Sequence, residues 1–131
     1  MRSVRSLAAM VALVIAAMAC GGNSSTGGGS SSCSKTYKVG LVTDVGKLSD
    51  KSFNATSWQG VLDAQNDKSL CVQGKAIESN QPTDYAKNMQ TFVDQGYDMV
   101  VAVGFLMGDD TLAEAKKNSG TKFAIVDFAY T

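Results

Sequence analysis

From residue 35 onward, four apolar runs alternate with three stretches of helical periodicity. Tyr37 to Thr43 predicts a first strand. Asp50 to Gln65 predicts a helix with Ser49 or Asp50 as its N-cap. Trp58, Val61 and Leu62 fall at spacings that turn them toward a sheet as core. Leu70 to Glu78 alternates and predicts a second strand. From Thr83 to Gln95, Tyr85, Met89, Phe92 and Val93 recur at i, i+4, i+7 and i+8, one apolar helical face. Pro82 before it and Gly96 after it are start and stop signals. Asp98 to Val103, centred on MVVAV, predicts a third strand, and Lys122 to Asp127 a fourth. Between them Asp109 to Lys117 predicts a helix with Leu112 and Ala115 inward. Lys116 and Lys117 sit at its C-terminal end, where the helix dipole favours cations.

Strands that alternate with helices pair in parallel through right-handed crossovers. The expected fold is a doubly wound α/β parallel sheet of order 2-1-3-4. Its switch point lies between the carboxyl ends of the first and third strands, where open sheets of this kind bind ligands. Asp44, Gly104-Phe105 and Asp127 all close strands on that edge. The chain stops just after the fourth strand, and the expectation is therefore the N-terminal piece of a longer protein.

The first twenty residues are of a different kind. Arg2 and Arg5 precede an unbroken apolar run from Leu7 to Ala19. That run is shorter than the roughly 20 apolar residues of a membrane span, and it fits a signal peptide. Ala17-Met18-Ala19-Cys20 resembles a bacterial lipobox, with alanine where leucine is more usual, so Cys20 is the expected lipidation site and membrane anchor. Residues 21–34, opening with GGNSSTGGGSSS, form a Gly/Ser linker that cannot bury a core. Its first twelve residues reach about 19 Å as a random coil. The folded part is 35–131.

Removing Arg2 and Arg5 with the leader leaves ten basic residues against twelve acidic ones, a net charge of −2. No basic stripe remains, which argues against nucleic acid as a partner. The chain has no histidine, hence neither the commonest general base nor the commonest metal ligand. No GxGxxG follows the first strand, so no dinucleotide cofactor is expected. No metal, no cofactor and no enzymatic activity are expected, and the protein is expected to act as a monomer.

Four residues can carry ligand chemistry. Asp44 is either an acceptor for a ligand N–H or O–H, or a loop carboxylate capping a helix. Phe53 is either a stacking platform for a planar ring or core under the preceding loop. Asn54 offers a donor and an acceptor to a heterocycle, or faces solvent. Asp127 ends a strand as a ligand carboxylate, or caps a later helix. Cys33 and Cys71 precede strands that would be parallel neighbours, so they are either a disulfide or two free thiols.

The stretch VGLVTDVGKLSDKSFNATSWQGV resembles the opening of the basic membrane protein family, the purine nucleoside receptor lipoproteins. Asp44, Gly46, Asp50-Lys51-Ser52-Phe53-Asn54 and Trp58-Gln59-Gly60 carry that resemblance. VAVGFLMGDDTLAEAKKN and KFAIVD fit the family's later strands. The resemblance implies one lobe of a type I periplasmic-binding-protein fold. It implies a substrate-binding lipoprotein of an ABC importer, facing the extracytoplasmic side and partnered by a transporter permease. By the same resemblance Phe53 stacks a nucleoside base, flanked by Asn54, Asp44 and Asp127. Two alternatives stand beside it: a binding lipoprotein for another small solute such as a sugar, and a surface adhesin or antigen.

Overall fold

The computed structural model describes residues 33–131. The leader, Cys20 and most of the linker lie outside the described residues. Four strands, β1 (Tyr37–Thr43), β2 (Val72–Ile77), β3 (Met99–Val103) and β4 (Lys122–Val126), form one parallel sheet of order β2-β1-β3-β4. The helices are α1 (Phe53–Asn66), α2 (Tyr85–Asp94) and α3 (Gly108–Lys117), with short 3-10 turns ahead of α2 and α3. The fold class and strand order match the sequence reading. Among the described residues no helix is long and apolar enough to cross a membrane.

One face of the sheet holds the core. Val42, Val100 and Ala102 point into a cluster with Tyr85, Met89 and Phe92 of α2 and with Met107, all buried. Full burial of each large side chain is worth about 1.5–3 kcal/mol. Gly40 is glycine because the Phe92 ring lies flat on β1 there; a methyl group would stand 2.7 Å from its Cδ1.

The opposite face carries α1, which packs chiefly on the edge strand β2. Gly74 lets the helix settle there, with Trp58 ring atoms 3.6 and 3.7 Å from where a Cβ would be. Trp58, Val61 and Leu62 are consequently half-buried rather than core, because a helix on an edge strand keeps one flank in solvent. α1 also starts later than expected. Lys51 takes a left-handed φ of 55°, which breaks the helix before Ser52. α3 is turned relative to its sequence reading. Gly108, Thr111 and Glu114 are its buried residues, and Leu112 is 37% exposed. The small and hydrogen-bonding side chains win the inner face: Thr111 Oγ1 donates to Met89 Sδ at 3.7 Å, and Asn118 Nδ2 donates to Glu114 Oε2 at 2.8 Å.

Cys33 and Cys71 are joined in a disulfide, with Cα atoms 5.8 Å apart. Tyr37 and Val72 are opposite each other in the parallel ladder, and the residues just before them meet at the amino edge of the sheet. The bridge lies at the end opposite the carboxyl-edge crevice.

Candidate ligand-binding site

The crevice is built from the turn that leaves β1. Thr43 is fully buried, and its single Oγ1 hydrogen is shared between the carbonyls of Asp44 (2.9 Å) and Gly46 (3.0 Å). The turn is also tied to the end of β2. Leu48 N–H donates to Glu78 Oε1 at 2.7 Å, and Lys47 pairs with Glu78 at 3.4 Å. Leu48's N–H, then the Lys47 side chain, hold the Glu78 carboxyl below its ordinary range against the opposing effect of burial.

This anchored turn presents Asp44. Its Oδ1 accepts the Gly46 N–H at 2.9 Å and the Asn54 Nδ2 hydrogen at 3.3 Å. Both interactions fall on one oxygen, and Oδ2 takes neither. Gly104, at φ 122°, lies directly against the carboxylate; a Cβ there would be 2.7 Å from Asp44 Cγ. Only glycine both adopts that backbone and leaves that space.

A cavity of about 400 Å³ opens here, lined by Asp44, Phe53, Asn54, Gly104, Phe105 and Asp127 among others. All four residues singled out in the sequence line it. Phe53 is 57% exposed, which excludes a core role. Asn54 is only 4% exposed, which excludes a solvent-facing one. Its Nδ2 is turned onto Asp44, and its Oδ1 is enclosed without a hydrogen-bond partner. Asp127 follows β4 at a left-handed φ of 69° and is exposed.

Among the other lining residues, Phe105 and Asp50 carry side-chain chemistry that was not assigned to a ligand. Phe105, 58% exposed, is a second aromatic on the same crevice. Its signal was available: an aromatic immediately after the glycine that ends a buried strand. Asp50 was expected, with Ser49, as the N-cap; Ser52 holds that position without a side-chain cap because Lys51 breaks the helix there, and Asp50 supplies the acceptor from two residues ahead. Its Oδ1 accepts the N–H groups of Ser52 (2.7 Å) and Ala55 (3.2 Å). Ser52's N–H first, then those of Ala55 and Asn54 and the Asn54 side chain, hold the Asp50 carboxyl below its ordinary value.

Tyr85 is 1% exposed, and its hydroxyl, near the Val45 backbone, makes no hydrogen bond. Burial, then the Asp44 charge, pushes that phenol above its ordinary pKa. Burial first, then Asp109 and Glu114, likewise raises the Asp110 carboxyl. Among the described residues no group of three His, Cys, Asp or Glu side chains could hold a metal ion.

The crevice sets exposed aromatic faces and hydrogen-bond acceptors at the switch point, the position where parallel sheets of this kind hold small molecules. Residues 37–131 match the Bmp family, described as ABC transporter substrate-binding protein PnrA-like. The chain belongs to that family. It is 34% identical over 121 residues to the ABC transporter nucleoside-binding protein BmpA of Lactococcus lactis subsp. cremoris, covering 89% of this chain and 34% of that protein. It is 31% identical over 125 residues to a CD4+ T-cell-stimulating antigen of Listeria innocua, covering 92% of this chain and 35% of that protein. The chain thus spans about a third of the length of these curated relatives. Among solved structures, an ABC transporter system solute-binding protein from Aeropyrum pernix K1 superposes with a TM-score of 0.64 at 26% identity, over 71% of this chain and 25% of that one.

Proposed function

We propose that this chain is the ligand-contacting lobe of a nucleoside-binding lipoprotein that serves an ABC importer. The observation that carries the reading is an exposed phenylalanine beside an anchored carboxylate at the switch point. The Phe53 ring offers a face to a planar base, worth about 0.5–1.5 kcal/mol beyond area burial. Asp44 Oδ2 accepts a base N–H, while Asn54 holds the other carboxylate oxygen in place. Asp127 stands at the mouth of the same crevice, where it accepts ligand hydroxyls. The relative from Lactococcus, named as nucleoside-binding, supports the same ligand class. No step of bond chemistry is needed; the site binds and releases. In this reading the leader is removed, Cys20 carries the lipid, and the folded lobe works on the extracytoplasmic side of the membrane.

Phe53→Ala tests it. Guanosine titrated into the full chain, followed by amide chemical shifts, should perturb Gly46, Asn54 and Gly104. The variant should lose about 5- to 150-fold in affinity, since truncating a stacked aromatic removes on the order of 1–3 kcal/mol. Its thermal midpoint should hold, because the ring is exposed. Unchanged affinity would remove Phe53 from the site.

The listerial relative's name supports a second reading, a surface antigen. That role requires no ligand, and a folded chain in which neither nucleosides nor ribose shift any amide would favour it.

A further inference from the structure

We propose that Asp50 is a specificity-determining residue that excludes phosphorylated ligands from this crevice, so that it takes nucleosides and rejects their 5′-phosphates. The inference rests on the nucleoside reading above. In doubly wound sheets the start of the helix after β1 is where phosphate groups are held, by free N–H groups and the positive end of the helix dipole. Here that position is already filled. Asp50 Oδ1 takes the Ser52 and Ala55 N–H groups at 2.7 and 3.2 Å, and the residue lines the cavity. A phosphate entering the crevice meets a carboxylate where it would need donors.

The surroundings reinforce this. The charged residues lining the cavity are Asp44, Asp50 and Asp127, with no lysine or arginine among them. Asn54, 96% buried by its 4% exposure, sets its Nδ2 on Asp44 and leaves its Oδ1 with no hydrogen-bond partner. That orientation is required, since the reverse would press two oxygens together. It leaves the Oδ1 acceptor enclosed behind the floor and commits the Nδ2 donor to a carboxylate. The next helix start also presents carboxylates, although none of them caps its N–H groups. Asp109 and Asp110 occupy the first turn of α3, the Phe128 ring lies against Gly108, and Tyr130 Oη donates to the Gly108 carbonyl at 2.8 Å. The crevice is therefore complementary to a ligand that brings hydrogen-bond donors and no negative charge.

The test uses the full chain and amide chemical shifts with three probes: guanosine, guanosine 5′-monophosphate and inorganic phosphate. Two variants separate charge from blockage. Asp50→Asn keeps a capping acceptor without the charge. Asp50→Gly also frees the Ser52 and Ala55 N–H groups. For the unsubstituted chain the monophosphate should bind at least about tenfold more weakly than guanosine, the scale set by two anions a few ångströms apart near a surface. Asp50→Asn should narrow that gap. Asp50→Gly should close it further and let inorganic phosphate shift the Ser52 and Ala55 amides, which it leaves unmoved in the unsubstituted chain. Equal affinities for guanosine and its monophosphate would overturn the exclusion and leave the nucleoside reading intact. A chain that ignores guanosine would overturn the nucleoside reading, and the phosphate arm would then decide the role of Asp50. No phosphate response in Asp50→Gly would overturn that role.

Discussion

Gly104→Ala tests whether the crevice floor is held by a close backbone approach. Gly104 sits at φ 122°, and a Cβ there would lie 2.7 Å from Asp44 Cγ and 2.8 Å from Asp44 Cβ. Two costs follow. Holding a non-glycine residue in a left-handed backbone costs roughly 1–2 kcal/mol. Relief of the overlap must come from Asp44, because the neighbouring β3 backbone is fixed in the ladder between β1 and β4. Moving Asp44 forfeits its hydrogen bonds from Gly46 and Asn54, each worth about 0.5–1.5 kcal/mol net. The sum is on the order of 2–5 kcal/mol, a large share of the 5–15 kcal/mol typical of a domain. In urea, with a slope of about 1–2 kcal/mol per molar, the midpoint should fall by roughly 1–5 M. Gly60→Ala supplies the contrast. Gly60 lies within α1, and no atom lies within 4 Å of a Cβ placed there. Alanine should raise stability by about 0.5–1 kcal/mol there. If both variants unfold at the midpoint of the unsubstituted chain, the account of the floor is wrong.

Further outcomes concern the scaffold. Reducing the Cys33–Cys71 disulfide opens a loop with a sequence separation of 38, and the chain-entropy relation puts the loss at about 4 kcal/mol. Urea unfolding with and without a reductant reads it, and a loss below about 1 kcal/mol would contradict the entropic argument. The Tyr85 hydroxyl is buried with the Val45 backbone beside it but completes no hydrogen bond. Tyr85→Phe removes an unsatisfied polar group and should leave the thermal midpoint unchanged or raise it; a fall of several degrees would mean that the hydroxyl has a partner. Asp98 is held below its ordinary pKa of 3.8 first by the Lys35 side chain and then by the Lys38 N–H. Its folded value is depressed, so the stability it contributes is present above 3.8 and disappears as pH falls through the lowered folded value. The stability gap between the unsubstituted chain and Asp98→Asn should therefore close in acid, and a gap that widens there would refute the pairing.

Most of the fold was legible in the chain because its signals are local. The runs around Val39–Thr43 and Met99–Val103 are continuous, as strands covered on both faces require. The Tyr85, Met89 and Phe92 periodicity marked the inner face of α2 without ambiguity. Where the reading failed, the decisive term was tertiary. Leu112 obeys helical spacing, yet α3 turns Thr111 and Glu114 inward because Met89 and Asn118 are there to satisfy them. Trp58, Val61 and Leu62 also obey it, yet an edge strand gives them only half a surface to cover. Lys51's left-handed backbone moved the start of α1, and nothing in the local pattern announces it.

The same division holds at the crevice. The sequence by itself determined which residues stand at the carboxyl edge, because strand order and direction place Asp44, Phe105 and Asp127 there. It also determined that Phe53 and Asn54 open the helix beside them. Only the tertiary structure decided what each side chain does. It exposed Phe53 and buried Asn54, although the two are adjacent in the chain, because successive helical residues point about 100° apart and only one of them faces Asp44. It brought Gly104 against the Asp44 carboxylate from a different strand. It also made Asp50 both the cap of α1 and a wall of the crevice. These are relations between residues distant in sequence, and packing in three dimensions sets them where the periodicity of a single segment cannot.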